Sequence, residues 1–430
     1  MTEAAAGARS RVSAVLDDWE RWLPWALLAV ALTYPFWFDI PPISYLTVDA
    51  LALKLDVVIL MIVYVMLALG LNVVVGYAGL LDLGYVAFFA LGAYTVGWFA
   101  SDKFSGVSFD VLSTATEGAA GIHISMWAVL IIAGTVAAIA GVIIGWPTLR
   151  LRGDYLAIVT LGFGEIIPDV FRNANSLPVP GGLQGSPPFI DFTNVNLTNG
   201  VAGVRALDRP GFGENLDTLT GGILPERFSG LELKPWYFTI VAMVLITIFV
   251  IRRLERSKMG RAWIAVREDE IAASAMGVPL MRTKLWAYGI GAIFGGIVGA
   301  YYGAFIGSVF PTSFSFAISV LVLVMVVVGG MGNIYGVIVG ALVLEYLNFK
   351  GLEKIGDGVN NTIDLVGIDH AVDIPKFKGL IFGALLVIMM LLRPEGIIPS
   401  ARRKAELHEA DEEGPETTYG DLYDVRREGA

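Results

Sequence analysis

Cysteine is absent from the 430 residues, and histidine occurs three times, at His123, His370 and His408. The first absence excludes disulfide scaffolds, thiolate metal sites and cysteine nucleophiles. Three histidines so far apart in sequence match no helical metal motif. Charge is scarce as well: 16% of the residues are Asp, Glu, Lys or Arg, against about a quarter in a soluble domain. The chain has no G-x-x-x-x-G-K-[ST] loop, no G-x-S-x-G elbow and no H-E-x-x-H pair, so phosphate cradling in the Walker manner and the common hydrolase chemistries lack their residues. The expectation is a non-enzyme with no resident metal or cofactor.

What fills the chain instead is apolar. Residues of the AVILMFWYC set make up 55%, and the mean hydropathy is +0.67. Fifty glycines and nineteen prolines follow no fixed period, which excludes collagen. The remaining class is an all-α, polytopic helical membrane protein. A crossing needs about 20 apolar residues, and that length picks out residues 24–38, 57–75, 80–100, 124–146, 155–171, 236–251, 285–305, 316–328, 334–347 and 377–392. Residues 285–344 hold no charge, enough for roughly three crossings at about 1.5 Å per residue, with Pro311 and the Gly329–Gly330 pair as break points. Several runs are short or broken, so the expected count is eight to ten.

Lys and Arg in short loops mark the cytoplasmic side. Arg9, Arg11 and Arg21 precede the first span, and Arg150 and Arg152 follow the fourth. Arg252, Arg253, Arg256, Lys258, Arg261 and Arg267 follow the sixth, and Arg393, Arg402, Arg403 and Lys404 follow the last. With ten spans all four clusters fall on one face, which places both termini in the cytoplasm. Asp17, Asp18 and Glu20 before the first span, and no small-residue cleavage site after it, read as a retained anchor rather than a signal peptide. The expected organisation is a cytoplasmic segment at 1–22, a transmembrane domain at 23–400 and an acidic tail at 401–430 of disordered composition. Within the domain, 172–235 is an extracytoplasmic insertion and 252–284 a cytoplasmic loop. Much of the net charge of −10 resides in the tail.

The cytoplasmic loop contains a helix former from Trp263 to Met276 with an apolar stripe, ended by Gly277 and blocked by Pro279. By itself this is an interfacial connector or a docking helix. The run Glu270-Ile-Ala-Ala-Ser-Ala-Met-Gly277 resembles the E-A-A...G coupling loop of ABC importer permeases. Three further blocks are similar to the LivM-type branched-chain amino acid permeases: Gly70 to Gly84 followed by Ala87 to Tyr94, Leu151 to Glu165, and Gly329 to Gly336. The resemblance covers most of Leu55 to Pro399 and departs from the pattern over 176–230, where a short glycine-rich loop is expanded. It implies a transmembrane subunit of an ATP-driven importer in the inner (plasma) membrane, pairing with a homologous permease subunit, two cytoplasmic ATPase subunits that bind the ATP, and an extracytoplasmic solute-binding protein. Sibling systems carry urea or short amides. Arg267, Glu270, Ala273 and Gly277 become the expected ATPase-coupling positions.

Two groups of residues have a physical reading of their own. Gly76, Gly79 and Gly84 around Asp82 interrupt an apolar stretch, and such a break is tolerated only where its backbone groups are buried or line a cavity. These positions and Glu165, an acid inside an apolar run, are the candidate translocation path. Glu345 is the third acid at membrane depth. Gly291, Gly295, Gly299, Gly303 and Gly307 recur every fourth residue and form a helix-packing stripe. An autonomous secondary transporter or channel would share the broken helices and buried acids. An intramembrane enzyme would need nucleophile motifs that are missing.

Overall fold

The computed structural model describes residues 25–41, 43–104, 108–111, 120–151, 153–174, 196–212, 225, 227–365, 373–393 and 396–398. The expected tail, the 1–22 segment and most of the 176–230 expansion lie outside the described residues, as do Arg9, Arg11, Arg21, Arg152 and Arg402 to Lys404.

All ten expected spans are helical. In chain order they begin with α1 (Trp25–Trp37), α2 (Leu55–Asn72, continued by a π-turn Val73–Tyr77), α3 (Val86–Phe99), α4 (Met126–Thr148) and α5 (Asp154–Asn173). After α6 (Lys234–Glu255) come two short helices, α7 (Lys258–Glu268) and α8 (Glu270–Ala275). The C-terminal half is α9 (Leu280–Ile306), α10 (Phe316–Gly329), α11 (Ile334–Tyr346), α12 (Leu352–Leu365) and α13 (Lys378–Leu392). Among the described residues, seven helical stretches are long and apolar enough to cross a membrane, and α1 and α3 are shorter apolar helices. The 20-residue α5 has the length but is too polar to join the seven, since Glu165, Asp169 and Arg172 lie on it.

Two boundaries differ from expectation. The third span, read as 80–100, is helical only from Val86, because residues 78–85 form an irregular segment. The span read as 334–347 does not end there: α11 continues through a π-turn (Leu347–Gly351) into α12. Pro311 sits in a 3₁₀ turn (Pro311–Phe314) between α9 and α10. Gly330, at φ +119°, breaks the chain between α10 and α11, and Asn333 starts α11 by accepting from Tyr335 N (3.0 Å) and Gly336 N (3.3 Å).

Helix α9 runs through the centre and packs on α2, α3 and α4. Its glycines meet neighbours of the same chain: Gly291 faces Val74, Gly295 lies against Phe88 and Tyr85, Gly299 against the Phe89 backbone, and Gly303 against Val309 and Ala93. Gly307 instead ends the helix at φ +73° with nothing packed on it.

Antiparallel neighbours define two ends of the bundle. Gly145 near the end of α4 meets Tyr288 and Leu285 at the start of α9, and Ile398 N donates to Gly329 O after α13. Arg150, Arg252 to Arg267 and Arg393, the described members of three basic clusters, therefore share one end with α7 and α8.

The opposite end carries short strands that periodicity did not reveal. They are β1 (Ala100–Ser101), β2 (Ser108–Val111) and β3 (Gly121–Ile124) in the order β1-β3-β2, and the pair β4 (Val204–Arg205) with β5 (Ser308–Val309). Strands of two to four residues are too short to show an alternating pattern.

Within this cap the buried His123 bonds through Nδ1 to Asp208 Oδ2 (2.7 Å), and its Nε2 lies 3.4 Å from Asp102 Oδ1. Burial pulls the His123 pKa down. The hydrogen bond and charge of Asp208, the Ala120 carbonyl and Asp102 outweigh burial, and the pKa is raised from 6.5. Folding thus favours the protonated ring. That contribution is complete below the unfolded value and is lost as pH rises through the folded one. Thermal stability is expected to fall as pH climbs from about 6.5 upward, and the fall should vanish in His123→Gln. Parallel curves for the two proteins would show that the ring does not gain a proton on folding.

Candidate functional site

Helix α7 starts where Ser257 Oγ accepts from Met259 N (3.1 Å) and Gly260 N (3.2 Å). It buries Trp263 and Val266, and Trp263 Nε1 donates to Thr283 O (2.9 Å), which fastens it to α9. The expected single helix from 263 to 276 is interrupted. Asp269 is extended, and its Oδ1 accepts from Ile271 N (2.7 Å) and Ala272 N (3.0 Å), capping a new helix, α8. Helix propensity alone favoured continuation; the carboxylate cap outcompetes it.

Gly277 ends α8 at φ +84°, with its N–H on Ser274 O (3.0 Å) and the Val278 N–H on Ala273 O (3.0 Å), a left-handed cap that glycine adopts without strain. What α8 presents outward is Ile271 and Met276, 72% and 85% exposed, whereas Ala273 is buried toward the bundle. Glu270 also turns inward and pairs with Lys284, which is buried at the head of α9.

Arg267 joins this unit to the broken spans. Its Nη1 donates to Gly76 O in the π-turn of α2, and a β-carbon at position 79 would lie 2.8 Å from Arg267 Cγ. Asn72, one turn earlier, accepts from Gly332 N (2.9 Å) in the α10–α11 turn.

The irregular segment that follows is held by its neighbours. Asp82 Oδ1 accepts from Gly84 N (2.8 Å), Leu83 N donates to Thr160 Oγ1 on α5 (3.1 Å), and Val86 N donates to Ser319 Oγ on α10 (3.0 Å). The break was expected to have its backbone groups buried or lining a cavity. They are already bonded within the chain, as a break at membrane depth requires. Gly84 packs on the Thr160 backbone, and Gly164 lies against Leu83 and Gly84.

Glu165 follows Gly164, but its side chain is exposed rather than buried in an apolar helix core. With Asp169 and Arg172 it borders a cavity of ≈ 940 Å³ whose other walls are the turn at Pro311, the start of α10, Asn348 and Lys378. One line of contacts thus runs from α7 through Gly76, Gly79 and the 82–84 segment to α5 and the cavity. Sequence treated Arg267 and the glycine break as separate sites; folding brings them together. Asn72, Thr160, Ser319 and Lys284 went unnoticed. The one available signal was a polar residue isolated within or at the head of an apolar run.

The family model described as branched-chain amino acid transport system / permease component matches residues 54–390. The chain is similar to the high-affinity branched-chain amino acid transport system permease protein LivM of Escherichia coli, 35% identical over 392 residues that cover 89% of this chain and 76% of the relative. The protein of the same name from Salmonella typhimurium is 34% identical over 399 residues, covering 90% and 77%. A probable branched-chain amino acid transport permease protein LivM of Methanocaldococcus jannaschii is 25% identical over 357 residues, covering 78% and 90%. No solved structure matches. The matched region takes in α2 to nearly the end of α13, with the broken spans and α7–α8 inside it, so the chain is a multi-pass membrane protein that belongs to the permease family of the branched-chain amino acid transport systems.

Proposed function

We propose that this chain is the transmembrane permease subunit of an ATP-driven importer for branched-chain amino acids. It forms the translocation path with a homologous permease subunit, is driven by two cytoplasmic ATPase subunits and receives solute from an extracytoplasmic binding protein. It binds no ATP and carries no catalytic residue itself. The carrying observation is α8. A short helix with Ile271 and Met276 exposed fits a groove on an ATPase, while Arg267 on Gly76 and Glu270 on Lys284 transmit its movement to the broken spans.

In this reading the basic end is cytoplasmic, both termini lie there, and 1–22, 23–400 and 401–430 are the three parts, with 172–235 external and 252–284 the coupling loop. Gly76, Gly79, Asp82 and Gly84 act as the moving segment, and Glu165 borders the path. The names of the relatives support the solute class, and the four-glycine stripe of α9 is internal scaffolding.

The test is co-purification of an ATPase subunit with the chain and solute-stimulated ATP turnover in proteoliposomes. Gly277→Val forces a β-branched residue into a left-handed conformation at about 1–2 kcal/mol, with no packing clash to confuse the result, since nothing lies within 4 Å of a β-carbon there. Expected is loss of most coupled turnover with the chain still folded, and partial recovery in Gly277→Asn. Solute uptake in the absence of any ATPase would make the chain an autonomous carrier.

A further inference from the structure

We propose that the cavity beside α5 is a vestibule that binds a zwitterionic amino acid, with Glu165 holding the ammonium, Arg172 the carboxylate, and the start of α10 the aliphatic side chain. The inference rests on the permease reading for its place in transport but not for its chemistry. At ≈ 940 Å³ the cavity lies within the range of about 300–1,000 Å³ usual for ligand sites, and it is lined by both signs of charge, with Glu165 and Asp169 facing the same space as Arg172 and Lys378.

The spacing suits a zwitterion. Arg172 reaches back toward Asp169, with Nη1 3.4 Å from Oδ1, and Glu165 lies one turn before Asp169 on the same face of α5. The Arg172–Asp169 pair is exposed. Such pairs contribute about 0–1 kcal/mol, so Arg172 can exchange Asp169 for a bidentate carboxylate at little cost. Ile318 and Leu321 supply apolar wall.

Two further observations point to water in this space. Glu165 lies on a spanning-length helix and, among the described residues, has no ion-pair partner. A bare carboxylate against lipid is expensive, so it requires a wet path. Behind the wall, Asn348 Nδ2 donates to Glu345 Oε1 (3.4 Å), and the buried Oε2 of Glu345 has no hydrogen-bond partner among the described residues. A carboxyl oxygen left without a partner beside the cavity wall is a polar group for water to satisfy. Urea or a short amide carries no charge with which to engage Glu165 or Arg172.

The chain has no cysteine, so one can be introduced as the sole label. Ala317 is exposed and lines the cavity. Ala317→Cys in the full assembly, in right-side-out vesicles, should react with a membrane-impermeant maleimide. L-leucine at about twice its Kd should slow the reaction about threefold, whereas 4-methylpentanoate, isoamylamine and urea should not. Adding Glu165→Gln or Arg172→Gln should remove the protection. Thr312→Cys, on the neighbouring wall, is the second site should the first label poorly.

Equal protection by the acid, the amine or urea would overturn the proposal, as would protection that survives both substitutions or no protection at either site. The readout needs no ATP. Leucine uptake that requires ATP but comes without protection would sink the vestibule alone. Protection with ATP-independent uptake would sustain the vestibule and remove the importer reading.

Discussion

Gly299→Leu is expected to yield no folded protein, and Gly299→Ala to lose stability, although alanine normally strengthens a helix by about 1 kcal/mol over glycine. A β-carbon at position 299 would fall on the Phe89 carbonyl, 2.9 Å from its carbon and 3.1 Å from Ala93 N. Backbone of α3 cannot yield as a flexible side chain would. Overfilling of this kind costs about 1–3 kcal/mol where the structure can adjust, and leucine adds three more carbons at the same place. Gly92 meets the Gly296 backbone one turn earlier, so α3 has no free direction in which to withdraw.

Gly289→Ala is the internal control. Its new methyl would find only Val142 Cγ2 at 3.7 Å, an ordinary contact, and the variant should match or exceed wild-type stability. Recovery of folded Gly299→Leu after solubilisation, and thermal unfolding of purified Gly289→Ala and Gly299→Ala in detergent, decide the matter. Equal melting temperatures for Gly289→Ala and Gly299→Ala would mean that α9 and α3 are not in backbone contact.

The second large effect concerns Glu270 and Lys284. Lys284 is buried and its ion-pair partner is Glu270. Removing one partner of a buried pair costs about 3–5 kcal/mol, less here because Glu270 is partly exposed. Glu270→Lys goes further and sets two cations together beneath α8. Transport coupling should be lost, with α8 displaced and the remaining bundle folded.

The charge exchange Glu270→Lys with Lys284→Glu should restore much of the coupling, because the pair is internal and its sign matters little. ATP turnover stimulated by solute in proteoliposomes is the measurement. A double variant as uncoupled as Glu270→Lys alone would mean that Glu270 meets the ATPase surface and not Lys284.

Both expectations correct the sequence reading in an instructive way. The four-residue spacing of Gly291 to Gly303 told which face of α9 is narrow. It did not tell that α3 and α2 of the same chain occupy that face, because helix pairing is a long-range choice absent from local periodicity. In the same way the Glu270 to Gly277 run was legible as a motif, yet Glu270 lies inward and Ile271 and Met276 outward. The break at Asp269 rotates α8 relative to α7, so a helical wheel drawn through both misplaces the face.

By itself the sequence determined the class of molecule, the ten helical stretches, the break points at Pro311 and Gly330 and the left-handed cap at Gly277. These depend on composition, on run length against bilayer thickness and on backbone geometry, which are local quantities. Tertiary structure decided that the N–H groups of Leu83 and Val86 at the break are already bonded by Thr160 and Ser319, that Arg267 reaches Gly76, and that Glu165 opens onto a charged cavity. Each of these depends on which helices become neighbours. Buried backbone groups and charges take whatever partner that packing brings within reach, and a partner 77 to 233 residues away leaves no trace in the local pattern.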